Sequence, residues 1–275
     1  MFLYYQNVRG VRTKLDSLLL AVMDCNYDIV MLTETGLDDC IDSLQIFGHA
    51  FNVFRCDRNC RNSNKSSFGG VLIAVHRRFA SKQVCMRRGE ALEQVFVEAT
   101  VGPNRLFLGV IYIPPDRSCD ADLIDEHVDS VRELCDYASC DDQVLICGDY
   151  NQRRLQWSLC SDGDVRLDGN SSVTPASAAL IDGMDFLNLF QANYHRNHND
   201  RTLDLVFRSC NCNPIIDVAA VPLLPVVLHH PPLEMMLSVE SGPETNDPLP
   251  VTDEPALDFG KINYDALREY FSAFD

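Results

Sequence analysis

Several apolar segments of the sequence end in a residue that can hold a metal ion, a water molecule or a phosphate. These residues are Asn7, Glu34, Tyr112, Asp149 and Asn151, to which we add Asp204 in TLDLVF and the adjacent pair His229 and His230 after PVVL. Strand ends gathered along one edge of a sheet are where a rigid fold can bring polar groups to one point. Because Asn or Asp after a strand is also ordinary turn chemistry, one such residue alone is a weak signal, and it is the recurrence that indicates a site.

Two of these positions differ from ordinary turn residues. Glu34 lies between two threonines at the end of a buried-looking apolar run, where an acid needs a partner. In the sequence GDYN, Gly148 permits a tight backbone, so that Asp149 and Asn151 could both reach one water molecule or metal ion. Both segments therefore indicate hydrolytic or metal chemistry more strongly than the others.

Eight short segments rich in β-branched and aliphatic residues predict the strands that would carry these groups. They are residues 2–6, 28–34, 71–75, 95–99, 106–113, 143–147, 203–207 and 233–239. Helical spacing of apolar residues predicts three helices, at 15–22, at 124–135 and from the cap pair Thr174 and Pro175 to residue 187. Since both kinds of element alternate along the chain, we expect sheets flanked by helices.

The chain has 275 residues, of which 46% are hydrophobic, enough for one large packed domain, which we place at residues 1–240. Residues 241–260 are rich in proline and acid, a composition typical of a linker. Residues 261–275 predict a helix with Tyr264, Leu267 and Phe271 on one side. A helix that follows a linker and stops at the last residue leads us to expect a longer protein with a further region downstream.

The formal net charge of −17 argues against a nucleic-acid partner, but the charge is unevenly distributed. Residues 116–142 hold ten acids and two bases, and residues 240–275 hold nine acids and two bases. Residues 53–105 instead hold ten bases and four acids. The sequence therefore leaves two interpretations open, a basic binding face and an ordinary solvated surface.

The sequence also limits the compartment. No stretch approaches the roughly 18 apolar residues that span a bilayer, and the start MFLYYQNVRG lacks the apolar core of a secretion signal. The twelve cysteines have irregular spacing, and several lie inside predicted strands and helices. We therefore expect reduced, packed thiols in an intracellular protein with no membrane partner.

Seven segments, taken in order, resemble the exonuclease, endonuclease and phosphatase superfamily, and most closely the apurinic-endonuclease-like domain of Jockey-type non-LTR retrotransposons. They are QNVRGVRTKLDSL, DIVMLTETGLDD, FGGVLIAV, GVIYIPP, GDYNQRRLQW, TLDLVF and HPPLEM, between about residues 3 and 239. The resemblance implies an α+β, DNase I-like fold, in which two mixed β-sheets pack face to face with helices outside. The tail FGKINYDALREYFSAFD also resembles the stretch that leads from such a nuclease toward a reverse transcriptase.

The resemblance implies a role for each site residue. Glu34 would hold a divalent metal, Mg²⁺ or alternatively Mn²⁺, with Asn7 as a second ligand or beside one. Asp149 would orient or deprotonate the attacking water, and Asn151 would position that water or a phosphate oxygen. Tyr112 would donate a hydrogen bond to the phosphate. Asp204 would orient a histidine that stabilises the growing charge on the phosphate oxygens.

The identity of that histidine depends on the alignment of HPPL with the family pattern Ser-Asp-His-x-Pro-Val. This alignment makes His230 catalytic and places His229 where the family has an acid. A neutral imidazole there supplies no negative charge near the metal. The alternative alignment makes His229 catalytic, but it places Leu228 in the acid position and loses the proline match.

Other positions bear on substrate binding. Arg9 stands where many relatives have Asp or Asn, and it offers a phosphate contact instead of a metal ligand. Arg153 and Arg154, just after GDYN, are expected to contact the DNA backbone, and the basic stretch from Arg55 to Arg88 is a further candidate. Gly36 replaces a tryptophan common in the family, which we expect to change packing below Glu34.

By this resemblance the chain is a Mg²⁺-dependent endonuclease that nicks one DNA strand and leaves a 3′ hydroxyl. That hydroxyl would prime reverse transcription by a downstream domain of the same polyprotein, in the nucleus at the point of action. Two alternatives remain open. One is an abasic-site repair endonuclease or a phosphoesterase of the same superfamily, and the other is a nucleic-acid-binding domain that has lost catalysis.

Overall fold

The computed structural model describes residues 1–59, 68–87 and 91–238. Met1–Glu240 form one compact unit. The expected linker at 241–260 and the expected helix at 261–275 lie outside the described residues.

The described residues form strands and helices that alternate irregularly along the chain. In chain order these elements are β1 (Phe2–Asn7), α1 (Leu15–Asp24), β2 (Ile29–Thr33), α2 (Leu44–Phe47), β3 (Phe51–Cys56), β4 (Val71–His76), β5 (Ser81–Val84), β6 (Glu93–Val101), β7 (Asn104–Tyr112), α3 (Ala121–Tyr137), β8 (Gln143–Asp149), β9 (Trp157–Leu159), β10 (Val165–Leu167), α4 (Pro175–Phe186), β11 (Leu189–Gln191), β12 (Asp204–Ser209), β13 (Ile215–Val218) and β14 (Leu233–Met236).

Twelve of these strands form two six-stranded sheets. The first sheet has the order β13-β14-β1-β2-β4-β3, and the second has the order β11-β12-β8-β7-β6-β5. Strands β9 and β10 form a separate two-stranded ribbon. Each large sheet contains one parallel pair, β1 with β2 and β7 with β8, among antiparallel neighbours, so both sheets are mixed.

The two sheets pack face to face because their strands present alternate apolar side chains to each other. Tyr5 and Met31 of the first sheet share this central core with Leu108 and Leu145 of the second. The opposite face of the first sheet packs under α1, and that of the second packs under α3 and α4. This is the predicted four-layer α/β/β/α sandwich, so the predicted fold class is confirmed.

All eight predicted strands form, and all three predicted helices form. The strand predicted at 203–207 begins one residue later, at Asp204, and the strand predicted at 233–239 ends at Met236. The sequence analysis missed β3, β5, β9, β10, β11 and β13. Most of these are short and partly exposed, so they lack the apolar run that marked the others.

Two further expectations concern the thiols and the membrane. The two buried cysteines of the described ranges, Cys147 and Cys212, are free thiols. None of the helices in those ranges combines the length and the apolar character that a membrane crossing requires.

Candidate active site

Strand register brings the candidate site residues to one edge of the sandwich. Asn7, at the end of β1, pairs with Thr33, so Glu34 follows at the same edge. In the second sheet the last residue of β7, Tyr112, pairs with Asp149. Antiparallel β12 begins there with Asp204 opposite Asp149. Parallel pairing therefore puts the carboxyl ends of two strands side by side within each sheet.

The Asn7 amide lies between two carboxylates from different sheets. Its Nδ2 donates to Oε1 of Glu34 at 3.0 Å and to Oδ2 of Asp149 at 2.9 Å. Its Oδ1 accepts a hydrogen bond from the backbone N–H of Arg9 at 3.2 Å. In this arrangement Asn7 fixes the separation of the two acids.

A second chain of hydrogen bonds orients His230. Nδ1 of His230 lies 2.9 Å from Oδ2 of Asp204, whose Oδ1 accepts a 2.7 Å hydrogen bond from the Tyr5 hydroxyl. The other ring nitrogen, Nε2, lies 3.7 Å from Oδ2 of Asp149. The ring is buried, so this pairing gives His230 one defined orientation toward Asp149.

Burial and neighbouring charges control the protonation of this pair. Burial disfavours the imidazolium, but the charges of Asp204 and Asp149 outweigh it and raise the pKa of His230 to about 10. Burial raises the pKa of Asp149 above its ordinary range, while the charge of His230 acts in the opposite direction. His230 therefore carries a proton at neutral pH, and Asp149 is a stronger base than a solvated aspartate.

The same groups fit a bound cation. Glu34, Asp149 and His230 offer ligand atoms that all lie within 4.8 Å of one another. Because the protonated His230 ring has no free lone pair for a metal ion, the carboxylate oxygens of Glu34 and Asp149 are the ligand atoms of this group. Hard carboxylate oxygens in this setting suit Mg²⁺ or Mn²⁺. Glu34 with Asn7 beside it, and Asp149 facing both, would hold such an ion.

The backbone at the site adopts conformations that are unusual for residues with a Cβ. Arg9, Glu34 and Asn151 have positive φ angles of 46°, 53° and 52°. Left-handed backbone at such residues persists where surrounding contacts enforce it, and it concentrates at functional sites. Asn151 shows these contacts, because its backbone N–H donates to Asp149 Oδ1 at 3.1 Å and its Nδ2 donates to the Ile113 carbonyl at 2.9 Å.

Tyr112 lies beneath the two acids. It is 6% exposed, and the Arg58 guanidinium lies 5.6 Å from the centre of its ring. Burial, together with the charges of Glu34 and Asp149, raises the pKa of Tyr112 far above its ordinary range. Its hydroxyl therefore stays protonated and can only donate when it meets an anionic oxygen.

Known proteins were compared with the chain at three levels. No protein-family model matches it, and no curated protein sequence matches it. Solved structures do match. The endonuclease domain of TRAS1, a telomere-specific non-LTR retrotransposon, superimposes with a TM-score of 0.57 at 10% identity over 87% of this chain and 99% of that chain.

Two other solved structures are similar to this chain. The 3′-5′ exonuclease NExo from Neisseria meningitidis has a TM-score of 0.59 at 14% identity, over 87% of this chain and 100% of that chain. The AP endonuclease LMAP from Leishmania major has a TM-score of 0.59 at 13% identity, over 85% and 86%. The chain has the DNase I-like fold. At these identities the likeness establishes the fold, and the function must be argued from the site.

In this DNase I-like sandwich Glu34 and His230 line an open cleft, and Asp149 is buried directly behind them. The cleft is lined by Asn7, Arg9, Glu34, Asn151, Arg153, Asn197, Asn199, Arg201, His229 and His230, among others. Of the predicted substrate-binding arginines, Arg9 and Arg153 line it. Arg154 is exposed on the adjacent turn and is not among the lining residues described.

Sequence reasoning missed four residues that shape this site. Asn197, Asn199 and Arg201 lie on the loop before β12. The uninterrupted polar sequence NHNDR, residues 197–201, was the signal that could have marked them. Tyr5 reads as an ordinary core residue of a strand. Only its hydrogen bond to Asp204 across the sheet interface reveals its part in the site.

The structure separates the two adjacent histidines. His230 is buried against Asp204, whereas His229 is exposed at the cleft rim. The His229 ring lies 4.5 Å from the His198 ring, and Nδ2 of Asn199 lies 3.2 Å from its Nδ1. Burial and the nearby charges of His198 and His230 lower the pKa of His229, so it is neutral at neutral pH. The geometry therefore pairs His230, and not His229, with Asp204.

Part of the basic stretch proposed for DNA contact has interior partners. Arg55 donates to the backbone carbonyls of Ile41 at 2.7 Å and Asp38 at 3.0 Å. Arg58 donates to Glu93 at 2.6 Å, and its side chain is 6% exposed. The side chains of these two arginines therefore bind groups within the protein and stabilise the fold. Arg61, Lys65 and Arg88 lie outside the described residues.

Proposed function

We propose that this chain is a divalent-metal-dependent endonuclease that hydrolyses one phosphodiester bond in one strand of DNA and leaves a 3′ hydroxyl. The observation that carries the proposal is the convergence of the His230–Asp204 pair on Asp149, with Glu34 held beside it by Asn7. These residues supply a general base (Asp149), a protonated histidine (His230) and a carboxylate that can bind a metal ion (Glu34).

Each residue has a defined task in this reaction. Asp149 accepts a proton from the attacking water, since burial raises the basicity of its carboxylate. His230 presents Nε2–H to the phosphate oxygens, and Asp204 holds the ring in that orientation. Tyr112 donates its hydroxyl to the same phosphate. A bound Mg²⁺ or Mn²⁺, held by Glu34 with Asn7 beside it, would neutralise charge on the phosphate.

The rim of the cleft supports DNA as the substrate despite the net charge of −17. Arg9, Arg153 and Arg201 line the cleft together with Glu34 and His230. A phosphate backbone would lie across the arginines with its scissile group at His230. Local charge at the cleft therefore outweighs the net charge of the chain for this partner.

We extend the proposal to target-primed reverse transcription. The nick's 3′ hydroxyl would prime synthesis by a reverse transcriptase domain downstream in the same polyprotein, in the nucleus. Two observations support this step, the sequence resemblance of residues 259–275 to the stretch that leads to such a domain and the structural likeness to the TRAS1 endonuclease.

A second candidate is a repair activity at abasic sites or at blocked 3′ ends. Similar structures include an AP endonuclease from Archaeoglobus fulgidus and a 3′ phosphatase form of NExo bound to a product DNA hairpin. Intact duplex, abasic duplex and a 3′-phosphorylated hairpin would be compared as substrates. Preference for the abasic or 3′-phosphorylated DNA would favour this candidate.

The first experiment measures nicking of supercoiled plasmid by the purified chain with Mg²⁺. Glu34→Gln, Asp149→Asn and His230→Gln should each lower the rate by about 10²-fold or more, as expected for groups that act on the transition state. Asp142→Asn and His127→Gln are matched controls, because they alter buried groups outside the cleft.

Two further readouts decide between the alternatives. Extension of the nicked plasmid by a DNA polymerase would show a 3′ hydroxyl end. A chain that binds DNA but does not nick it with Mg²⁺ or Mn²⁺ would contradict the proposal and favour a domain that has lost catalysis.

A further inference from the structure

The turn that carries Glu34 is held from two sides. Glu34 and Gly36 have positive φ angles of 53° and 63°, so the turn needs external support. On one side the backbone N–H of Gly10 donates to the Glu34 carbonyl at 2.6 Å. On the other side the N–H of Gly36 donates to the Gly69 carbonyl at 2.7 Å, and the N–H of Thr35 donates to the carbonyl of the next glycine at 3.1 Å.

The second support is a pair of glycines, Gly69 and Gly70, with φ angles of 79° and 80°. A Cβ at Gly69 would overlap the guanidinium of Arg58, and one at Gly70 would lie 2.8 Å from Oγ1 of Thr35. The glycine pair is therefore packed tightly between the Glu34 turn and the Arg58 side chain.

Arg58 is fixed in turn by a buried ion pair. Its Nε donates to Oε1 of Glu93 at 2.6 Å, and the two side chains are 6% and 2% exposed. The other carboxylate oxygen of Glu93 accepts a hydrogen bond from the backbone N–H of Gly70. One carboxylate thus binds both the guanidinium and the glycine pair.

The same ion pair also contacts Tyr112. Glu93, at the start of β6, is the register partner of Tyr112, at the end of β7. The guanidinium of Arg58 lies 5.6 Å from the centre of the Tyr112 ring. The pair is therefore next to Tyr112 in the second sheet and, through the glycine pair, next to the Glu34 turn in the first sheet.

A stabilising role alone does not account for this pair. Removing two charges from water is costly, and a buried ion pair is often no more stabilising than apolar side chains of similar volume. The arginine guanidinium, however, carries its N–H donors in a fixed planar geometry, so it defines the position of the groups that it contacts. The Arg58 guanidinium contacts the glycine pair, and the glycine pair contacts the turn of Glu34.

We propose that the Arg58–Glu93 ion pair is a positioning unit that presses Gly69 and Gly70 against the turn of residues 34–36 and so sets the place of the Glu34 carboxylate in the cleft. Its catalytic consequence rests on the proposed function. Its structural consequence, the protection of the Thr35 and Gly36 amides, does not.

The test compares this ion pair with a more exposed one, Arg105–Asp142, at the far end of the same sheet. Arg105 Nε donates to Asp142 Oδ1 at 3.1 Å, and Arg105 lies near the start of β7, whereas Tyr112 ends that strand. The variants are Arg58→Met and Glu93→Gln against Arg105→Met and Asp142→Asn. Arg58→Lys keeps the positive charge but removes the planar guanidinium group. Glu93→Gln keeps an oxygen for the Gly70 amide and is the milder change.

Three quantities are measured for each variant: the melting temperature, the hydrogen exchange of the Thr35 and Gly36 amides by NMR, and kcat and KM for plasmid nicking. We expect Arg58→Met and Glu93→Gln to accelerate exchange at both amides and to lower kcat by about 10- to 100-fold with KM for DNA nearly unchanged. Arg58→Lys should recover part of this loss. The Arg105 and Asp142 variants should lower only the melting temperature.

The proposal is overturned if exchange at Thr35 and Gly36 is unchanged in folded Glu93→Gln protein. It is also overturned if the Arg105 variants produce the same loss of kcat at an equal loss of melting temperature. If the wild-type chain does not nick DNA at all, the proposed function fails, and the exchange rates still decide whether the ion pair holds the turn.

Discussion

Nδ1 of His230 lies 2.9 Å from Oδ2 of Asp204, a residue that starts the strand opposite Asp149. Burial alone would lower the pKa of His230, but the charges of Asp204 and Asp149 raise it to about 10. We predict that NMR titration of the metal-free chain will show a His230 pKa far above the ordinary 6.5, and that Asp204→Asn will bring it down. A His230 pKa near 6.5 in the wild type would contradict the geometry.

The same shift predicts how stability depends on pH. A histidine whose pKa is raised on folding contributes stability that is complete below its unfolded pKa of about 6.5 and is lost as pH rises through about 10. Between these pH values the unfolding free energy of the wild type should fall more steeply than that of Asp204→Asn. Urea unfolding across this range measures the difference, and parallel curves would show that Asp204 is not the cause.

Divalent cations should stabilise the folded chain. Glu34 and Asp149 place carboxylate oxygens within 4.8 Å of each other, so Mg²⁺ or Mn²⁺ should raise the melting temperature, and EDTA should reverse this. The gain is about 2.7 kcal/mol at 100 times the dissociation constant if the ion binds only the folded state. Glu34→Gln should lose the gain, whereas Asp142→Asn, far from the cleft, should keep it. An equal gain in both variants would place the ion elsewhere.

Replacing the exposed His229 at the cleft rim by an acid should improve the use of Mg²⁺. His229→Asp adds a carboxylate next to His230, which should lower the Mg²⁺ concentration needed for half-maximal nicking and weaken DNA binding. His229→Asn has a similar size and no charge, and it should leave the Mg²⁺ requirement unchanged. The measurement is the nicking rate as a function of Mg²⁺ at fixed DNA. A Mg²⁺ requirement that is the same for both variants would show that this position does not act on the ion.

Close packing at Gly148 predicts a local effect on Asp149. A Cβ at Gly148 would lie 2.5 Å from the Ile111 carbonyl oxygen, so Gly148→Ala must push β7 and β8 apart. We expect a loss of about 1–3 kcal/mol in the unfolding free energy, with reduced nicking because Asp149 moves. Gly169→Ala is the control, since a Cβ there meets nothing within 4 Å. Equal stability of the two variants would argue against the packing.

The strands that carry the site were predictable because they are buried on both faces. β2, β4 and β8 are nearly continuous apolar runs, and such runs mark central strands without any tertiary information. The short edge strands β5 and β13 were not predictable, because they are partly exposed and their order depends on a neighbour. Sequence periodicity therefore located the centres of both sheets and not their edges.

Most candidate residues were also predictable as individual residues, since they lie at or near the end of an apolar run. Their partners were not. Tyr5 reads as core, Arg58 reads as one base of a basic stretch, and no pattern marks Glu93, yet each has a bond that crosses between segments distant in sequence. A side chain's neighbour across a sheet interface depends on register and layer packing, which a linear pattern does not contain.

For this protein, the sequence by itself determined the fold class, the types of the reacting groups and their order along the chain. Apolar periodicity and turn chemistry are local properties, and they carry that information directly. Only the tertiary structure decided that His230 pairs with Asp204 while His229 remains on the rim, and that a buried Arg58–Glu93 pair lies behind Glu34. These outcomes depend on strand register and on the packing of two sheets, where a shift of one residue reverses which side chain is buried.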